Sequence, residues 1–394
     1  MLQVDSRLWL PFTQMQSFDA RTRTFIGAEG TSLIDLQGRR IFDAVSSIWT
    51  TIHGHCHPHI VSAIAEQAAK LDHATTLGAS NPVAEELAER LCAITAMDYA
   101  FFASDGASAI EAALKMVVQY WQYAGEPRRT RFVRFVDSYH GDTSGAMSLS
   151  DIPAFKSRFG AITFESVPYE DAGVLDQPDI AGVIVEPLVQ AAAGMRIVPA
   201  ERYAAFQSCT PLVIVDEIAT GFGRTGTMFA FEQLGLRADV IALGKGITGG
   251  AMALSATLAS KRIFDAFLGE TGERKQFFHG HSYAGNPIAC AAAIASLQLF
   301  ESEHTLERAR AIGERIEHHL RALRSHHAVI DARRAGTMTG VELRFDGRRV
   351  ADALYERGHF TRAIGDTVQF VPPLSSKMHE IDAFFEALVS ELHS

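Results

Sequence analysis

Four short aliphatic runs, spaced through the middle of the chain with helical stretches between them, constrain the fold more than any other feature. They are RFVRFV (131–136), GVIVE (182–186), PLVIVD (211–216) and DVIAL (239–243). Each is strand-sized, largely apolar, and ends near a polar or Gly-rich turn. A strand that is apolar on both sides has to be covered on both sides. Strands alternating with helices achieve this in a mostly parallel sheet. The expected class is therefore α/β, with a mostly parallel central sheet and helices on both faces. Ligands of such sheets bind beyond the carboxyl ends of the strands, so residues that follow these runs are the first candidates for chemistry.

The helices announce themselves by their caps. Asn81-Pro82 reads as an N-cap followed by the first helical residue, with Glu85 and Glu86 in the early turns. Asn286-Pro287 opens a second helix, IACAAAIASLQLF, rich in small residues, and composition places a third over Ala107 to Tyr120. Residues 1–60 open no long helix, and 30–45 alternate like a small hairpin. After about residue 301 a long polar helix, short strands (GTMTGVELRF, TVQFVPP) and a last amphipathic helix form a smaller α+β domain. The expected division is an N-terminal segment at 1–60, belonging to the small domain and the site entrance, a large domain at 61–300 and the small domain at 301–394.

The 394 residues carry a formal net charge of −10, which opposes a nucleic-acid partner. Apolar stretches are broken well short of the ~18 residues a membrane span needs. The start, MLQVDSRLWLPFTQ, lacks a basic n-region and an apolar core, so no signal peptide is expected. Cys56, Cys92, Cys209 and Cys290 are scattered without a CxxC pair, as in a reducing, cytoplasmic setting.

The chemistry concentrates in VIVDEIATGFGRTG, where Asp216 closes a strand, and DVIALGKGITGG, where Lys245 closes the next. An amine and a carboxylate at neighbouring strand ends can face one ring-shaped cofactor. Pyridoxal 5′-phosphate asks for this pair: a lysine for the Schiff base and an acid for the pyridine nitrogen. Taken singly, the aspartate is as readily a cap and the lysine a solvated strand end. In FFASDGASAIEAALKM (101–116) small residues open a helix whose N–H groups suit a phosphate, though Asp105 or Ser104 can equally be a plain cap. Tyr139 in DSYHGDTSGAM can stack on a planar ring or be a half-buried tyrosine.

Two patterns are weaker. GKGITG (244–249) is formally GxGxxG, but AMALSATLAS behind it reads as a strand, whereas a dinucleotide fingerprint opens a helix. HGHCHPH places His53, His55, Cys56, His57 and His59 around a proline turn. Alternate residues of an extended stretch point apart, so a tight polar turn near the active site is favoured over a metal centre, and no metal is expected.

Together these stretches resemble the class III aminotransferases of fold type I over nearly the whole chain. SSIWTTIHGHCHPHI, ALKMVVQYWQ, EPLVQAAAGM, HGHSYAGNPIACAAA and TRAIGDTVQFVPP add to the likeness. The resemblance implies a pyridoxal-phosphate enzyme that is a homodimer with shared active sites. It is strongest to the branch that aminates 8-amino-7-oxononanoate in biotin synthesis with S-adenosylmethionine as donor. An ω-aminotransferase using another amine, diamine or lysine donor is the alternative; an aminomutase, a decarboxylase or a non-catalytic cofactor-binding protein stands further off. Carried over by motif, Lys245 is the Schiff-base lysine and Asp216 the partner of the ring nitrogen. Gly106 and Ala107 bind phosphate through backbone N–H groups, and Ser282 reaches it from the other subunit. Tyr139 stacks on the ring, Trp49 lines the substrate pocket, and Arg362 binds a substrate carboxylate. Ala191 to Ala193 occupy positions where glutamate-accepting relatives place an acid that holds this arginine. Two substrate-binding positions depart from the family: Phe12 stands for a tyrosine and Ile48 for the first of two tryptophans.

Overall fold

The computed structural model describes residues 7–17 and 23–393. The signal-peptide reading falls partly on residues 1–6, outside the described residues.

A seven-stranded sheet runs in the order Tyr99–Ala103, Ser255–Ala259, Val240–Leu243, Leu212–Asp216, Ile180–Val185, Arg131–Arg134, Val167–Pro168. From Val240–Leu243 onward every join is parallel. Ser255–Ala259 runs antiparallel to both its neighbours. The four aliphatic runs are thus strands of one mostly parallel sheet. RFVRFV is shorter than expected, its pairing stopping at Arg134, and the strand of DVIAL ends at Leu243, two residues before Lys245. Lys245 therefore opens a 3₁₀ turn, Lys245–Thr248, instead of closing a strand.

Alternation along each strand builds two cores. Val183, Val185, Val213 and Val215 join one, while Ile184, Leu212 and Ile214 join the other. Helix Gly106–Tyr123 covers one face with Ala109, Ile110, Ala113 and Val117. Helix Pro287–Ser302 contributes Ala289, Ala293 and Leu297 to the opposite core. Each fully buried Val, Leu or Ile is worth about 1.5–3 kcal/mol over exposure, so an acid at Ile214 would open the sheet. The caps are as expected: Asn81 Oδ1 accepts from Ala84 N at 2.9 Å, and Asn286 Oδ1 from Ala289 N at 3.0 Å.

A separate core lies around helix Thr305–Leu323, whose Ile312, Ile316 and Leu320 pack with Val341, Phe370 and Phe384. Its antiparallel sheet orders Val329–Ala335, Met338–Leu343, Thr367–Phe370 and Ala363–Ile364. Helix Gly347–Glu356 was not legible beforehand; two arginines and an aspartate dilute its Val350-Ala351-Leu354 stripe. The hairpin at 30–45 is present as Ser32–Asp35 against Arg40–Asp43, extended by Phe25–Glu29 and by a parallel join to His359–Phe360. Phe42 and Ala44 of this meander enter the same core. Among the described residues no helix is long and apolar enough to cross a membrane.

Candidate active site

A cavity of about 470 Å³ opens at the carboxyl end of the Leu212–Asp216 strand. It gathers Trp49, Gly106, Ala107, Tyr139, Asp216 and Lys245, six of the residues expected from the sequence.

Asp216 is 5% exposed. Its Oδ1 accepts the N–H of Ile218 at 3.1 Å, and its Oδ2 lies 2.7 Å from His140 Nδ1. His140 is buried and its Nε2 has no partner among the described residues, so Asp216 is the imidazole's one hydrogen-bond partner there. Glu186 also lines the cavity and accepts the N–H of Tyr139 at 3.0 Å. Burial pushes the Glu186 carboxyl up to about 7, with Asp216 adding repulsion and His140 opposing. Burial depresses the pKa of Lys245, against the pull of Asp216 and Glu186. Its Nζ stands 4.9 Å from the Trp49 ring centre.

Opposite, the Gly106–Tyr123 helix begins at Asp105, which caps it by accepting Ser108 N at 3.0 Å. The cap is therefore Asp105 and not Ser104. The N–H groups of Gly106 and Ala107 are the first of the helix, out of reach of its own carbonyls, and the positive end of the dipole faces the cavity. A side chain at Gly106 would come within 2.9 Å of Ile218, and one at Gly141 within 2.6 Å of Ala107, so both glycines allow the close approach that shapes this wall.

Tyr139 donates its hydroxyl to Asp142 Oδ2 at 2.9 Å. Burial, then the Asp142 charge, raise the tyrosine's pKa. Its ring meets Phe155 edge-on at 5.7 Å, and Phe155 meets Phe12 at 5.2 Å. Phe12 is thus linked to the site through Phe155 and is not part of the lining; it is 67% exposed. Ile48, Arg362 and Ser282 are also outside the lining of this single chain. Arg362 is exposed and makes no ion pair among the described residues. Ser282 is exposed, with its carbonyl taken by His73 Nε2 at 2.8 Å.

A second cavity of about 680 Å³ shares Ala192 with the first. Its charges are already paired: Arg196 with Asp137, and Arg333 with Asp331 and Glu342.

The weaker motifs resolve plainly. GKGITG leads into the Ser255–Ala259 strand and opens no helix. The histidines of HGHCHPH separate: His53 to Ser296, His55 to Asp43, His57 to Glu303, His59 to Gln298. None lines the cavity. Sequence reasoning missed His140, Glu186 and Asp142. Their only signal was position, beside Tyr139 or directly after the GVIV strand.

A half-buried lysine just past one strand and a buried acid ending its neighbour, facing a helix N-terminus on a mostly parallel sheet, define an aminotransferase-type enzyme. The chain belongs to the aminotransferase class-III family, whose profile matches residues 19–392. It is 36% identical to the adenosylmethionine-8-amino-7-oxononanoate aminotransferase of Geobacter sulfurreducens, over 98% of this chain and 96% of that one. The Aquifex aeolicus enzyme of the same name is 38% identical, over 96% of this chain and 94% of its own. The crystal structure of the Methanocaldococcus jannaschii enzyme of that name matches with a TM-score of 0.92 at 36% identity, covering 98% and 97% of the two chains. An amine transaminase from an uncultivated Pseudomonas species, solved in its PLP-bound form, matches with a TM-score of 0.93 at 30% identity over 99% of both chains.

Proposed function

We propose that the protein binds pyridoxal 5′-phosphate and moves an amino group from S-adenosylmethionine to the 7-keto group of 8-amino-7-oxononanoate, giving 7,8-diaminononanoate for biotin synthesis. The observation that carries the reading is the convergence of Lys245 and Asp216 on one cavity with the free N–H groups of Gly106 and Ala107. These groups fit the cofactor's three demands: an amine for its aldehyde, an acid for its ring nitrogen and donors for its phosphate. Relatives named for this reaction, alike over nearly the full chain, support the substrate pair.

When bound, the cofactor supplies an electron-withdrawing ring that stabilises charge left on the substrate carbon when its proton departs. Asp216, held by His140 and the Ile218 N–H, would be the partner of the ring nitrogen. Burial favours the neutral form of Lys245 Nζ, which takes the proton from the amine-bearing carbon and returns it. The N–H groups of Gly106 and Ala107 would hold the phosphate and Tyr139 would stack on the ring, while Trp49 walls the pocket above Lys245. Arg362, without an ion pair among the described residues, offers its planar fork to a substrate carboxylate. Ser282, outside its own chain's cavity, serves the phosphate of a second copy, so the working unit is a homodimer. The four free cysteines suit the cytoplasm.

One observation favours a second reading. Phe12 and Ile48 stand where the family's donor contacts are a tyrosine and a tryptophan, so an ω-aminotransferase with another amine donor is the alternative. Mixing holoenzyme with S-adenosylmethionine tests both. Bleaching of the lysine-bound cofactor's visible absorption, and its return on adding 8-amino-7-oxononanoate, supports the first. Return from a pre-aminated enzyme without bleaching by S-adenosylmethionine means another donor. Neither response leaves the ω-aminotransferase.

A further inference from the structure

Ser46, Ser47, Ile48 and Trp49 form a left-handed turn, with φ of +49°, +47°, +66° and +67°. None is glycine and Ile48 is β-branched, the side-chain class least tolerant of this region. Such a conformation persists only where the surroundings over-determine it. Here they do. The buried carboxylate of Asp43, 0% exposed, lies behind the turn and gathers three groups. Its Oδ1 accepts Val45 N at 3.3 Å, and its Oδ2 accepts Ser47 Oγ at 2.9 Å and lies 2.9 Å from His55 Nε2. His55 is itself pinned through both backbone hydrogen bonds to Gly30.

The far side of the turn is tied to the rest of the site. Ser46 Oγ donates to Val371 O at 2.7 Å and Trp49 Nε1 to Gln369 Oε1 at 3.3 Å. Arg224, fully buried, donates to Thr51 O at 2.8 Å and to Pro372 O at 2.6 Å. The segment following the turn lies against the lysine loop: Ile52 N donates to Gly249 O at 3.2 Å, and a side chain at Gly250 would come within 2.8 Å of Thr51 Cα. The product of this bracing is the indole of Trp49, 6% exposed, set over Lys245 Nζ.

We infer that Asp43, backed by His55 of the histidine-rich turn, is a positioning residue for transamination: it locks the left-handed turn that holds Trp49 against Lys245. The inference rests on the role given to Lys245 above. It also gives part of HGHCHPH a task, mechanical support of the pocket wall from behind.

The test uses holoenzyme labelled with fluorotryptophan, in which Trp49 is assigned by its loss in Trp49→Phe. Asp43→Asn keeps the shape and removes the charge. His55→Phe keeps a ring and removes the contact to Asp43, and serves if Asp43→Asn does not fold. A displaced wall raises KM for the amino substrate by about 10-fold, well inside the cost of ångström-scale misplacement, and shifts or broadens the Trp49 resonance. A merely structural role lowers the active fraction and leaves KM and that resonance alone. A folded variant with KM and the Trp49 signal unchanged overturns the proposal. The resonance is read without any substrate, so it decides the matter even if S-adenosylmethionine and 8-amino-7-oxononanoate prove to be the wrong pair.

Discussion

His140 Nδ1 lies 2.7 Å from Asp216 Oδ2, with the imidazole wholly shielded and the carboxylate 5% exposed. No other side chain among the described residues hydrogen-bonds that carboxylate, so the pair acts as one unit. Asp216→Asn removes the charge and should lower kcat/KM on the order of 10²–10³-fold, the cost of losing a preorganised electrostatic partner. His140→Phe leaves the charge but frees it to turn. Its expected loss is about 10-fold, in line with a hydrogen bond to a charged group. Steady-state kinetics on the two variants separates them; equal losses would mean that His140 does more than orient.

Lys245→Ala should abolish the visible absorption of bound cofactor and reduce the half-reaction by about 10² -fold or more. In the parent enzyme the amine has to be neutral to take a proton. Burial lowers its pKa from the ordinary 10.5, so the half-reaction rate rises with pH through that lowered value and levels above it. Cofactor-free protein carries the same sign. Between the lowered value and 10.5 the unfolded chain holds a proton that the folded chain lacks, so stability rises with pH across that window. Stopped-flow absorbance and urea titrations measure the two limbs.

Glu217 behaves oppositely. It is fully buried, accepts Thr220 Oγ1 at 2.6 Å and Phe231 N at 2.7 Å, and burial lifts it from 4.5 to about 7. Across that window the folded state keeps the proton, so its contribution to stability is complete below 4.5 and lost as pH rises through 7. Glu217→Gln keeps the shape without the charge. It should gain stability above neutrality, up to on the order of 3 kcal/mol, and show no gain near pH ~5. Thermal melts at the two pH values check this; equal shifts at both would place the effect in packing.

Phe12→Tyr combined with Ile48→Trp should raise kcat/KM with S-adenosylmethionine. The added hydroxyl is worth about 0.5–1.5 kcal/mol, or roughly 2- to 10-fold. A fall, together with lost activity towards another amine, would favour the ω-aminotransferase.

Arg362→Lys keeps a cation and removes the planar fork, so KM for the carboxylate-bearing acceptor should rise by about 10-fold with kcat little changed. Titrating acceptor concentration in the second half-reaction gives the answer.

What was legible in the sequence follows from how local its cause is. Asp216 and Lys245 stand beside continuous aliphatic runs, and the Asn81-Pro82 and Asn286-Pro287 caps act within three residues. The left-handed turn at Ser46–Trp49 was not legible, because no glycine marks it and its bonds reach Gln369 and Val371. His140 and Glu186 were missed because their meaning comes from Asp216 and Tyr139, set beside them by sheet order. The separation of the histidines in HGHCHPH likewise depends on Ser296, Gln298 and Glu303, on helix and turn residues far along the chain.

The bond from Trp49 to Gln369 spans 320 residues. During synthesis, then, the large sheet and its lysine leave the ribosome well before the strand that secures the pocket wall. A nascent chain can present Lys245 without a closed site, and a chain cut short before Thr367–Phe370 lacks the anchor altogether. Closure of the pocket wall is thereby tied to synthesis of the Thr367–Phe370 strand, long after Lys245 has been made.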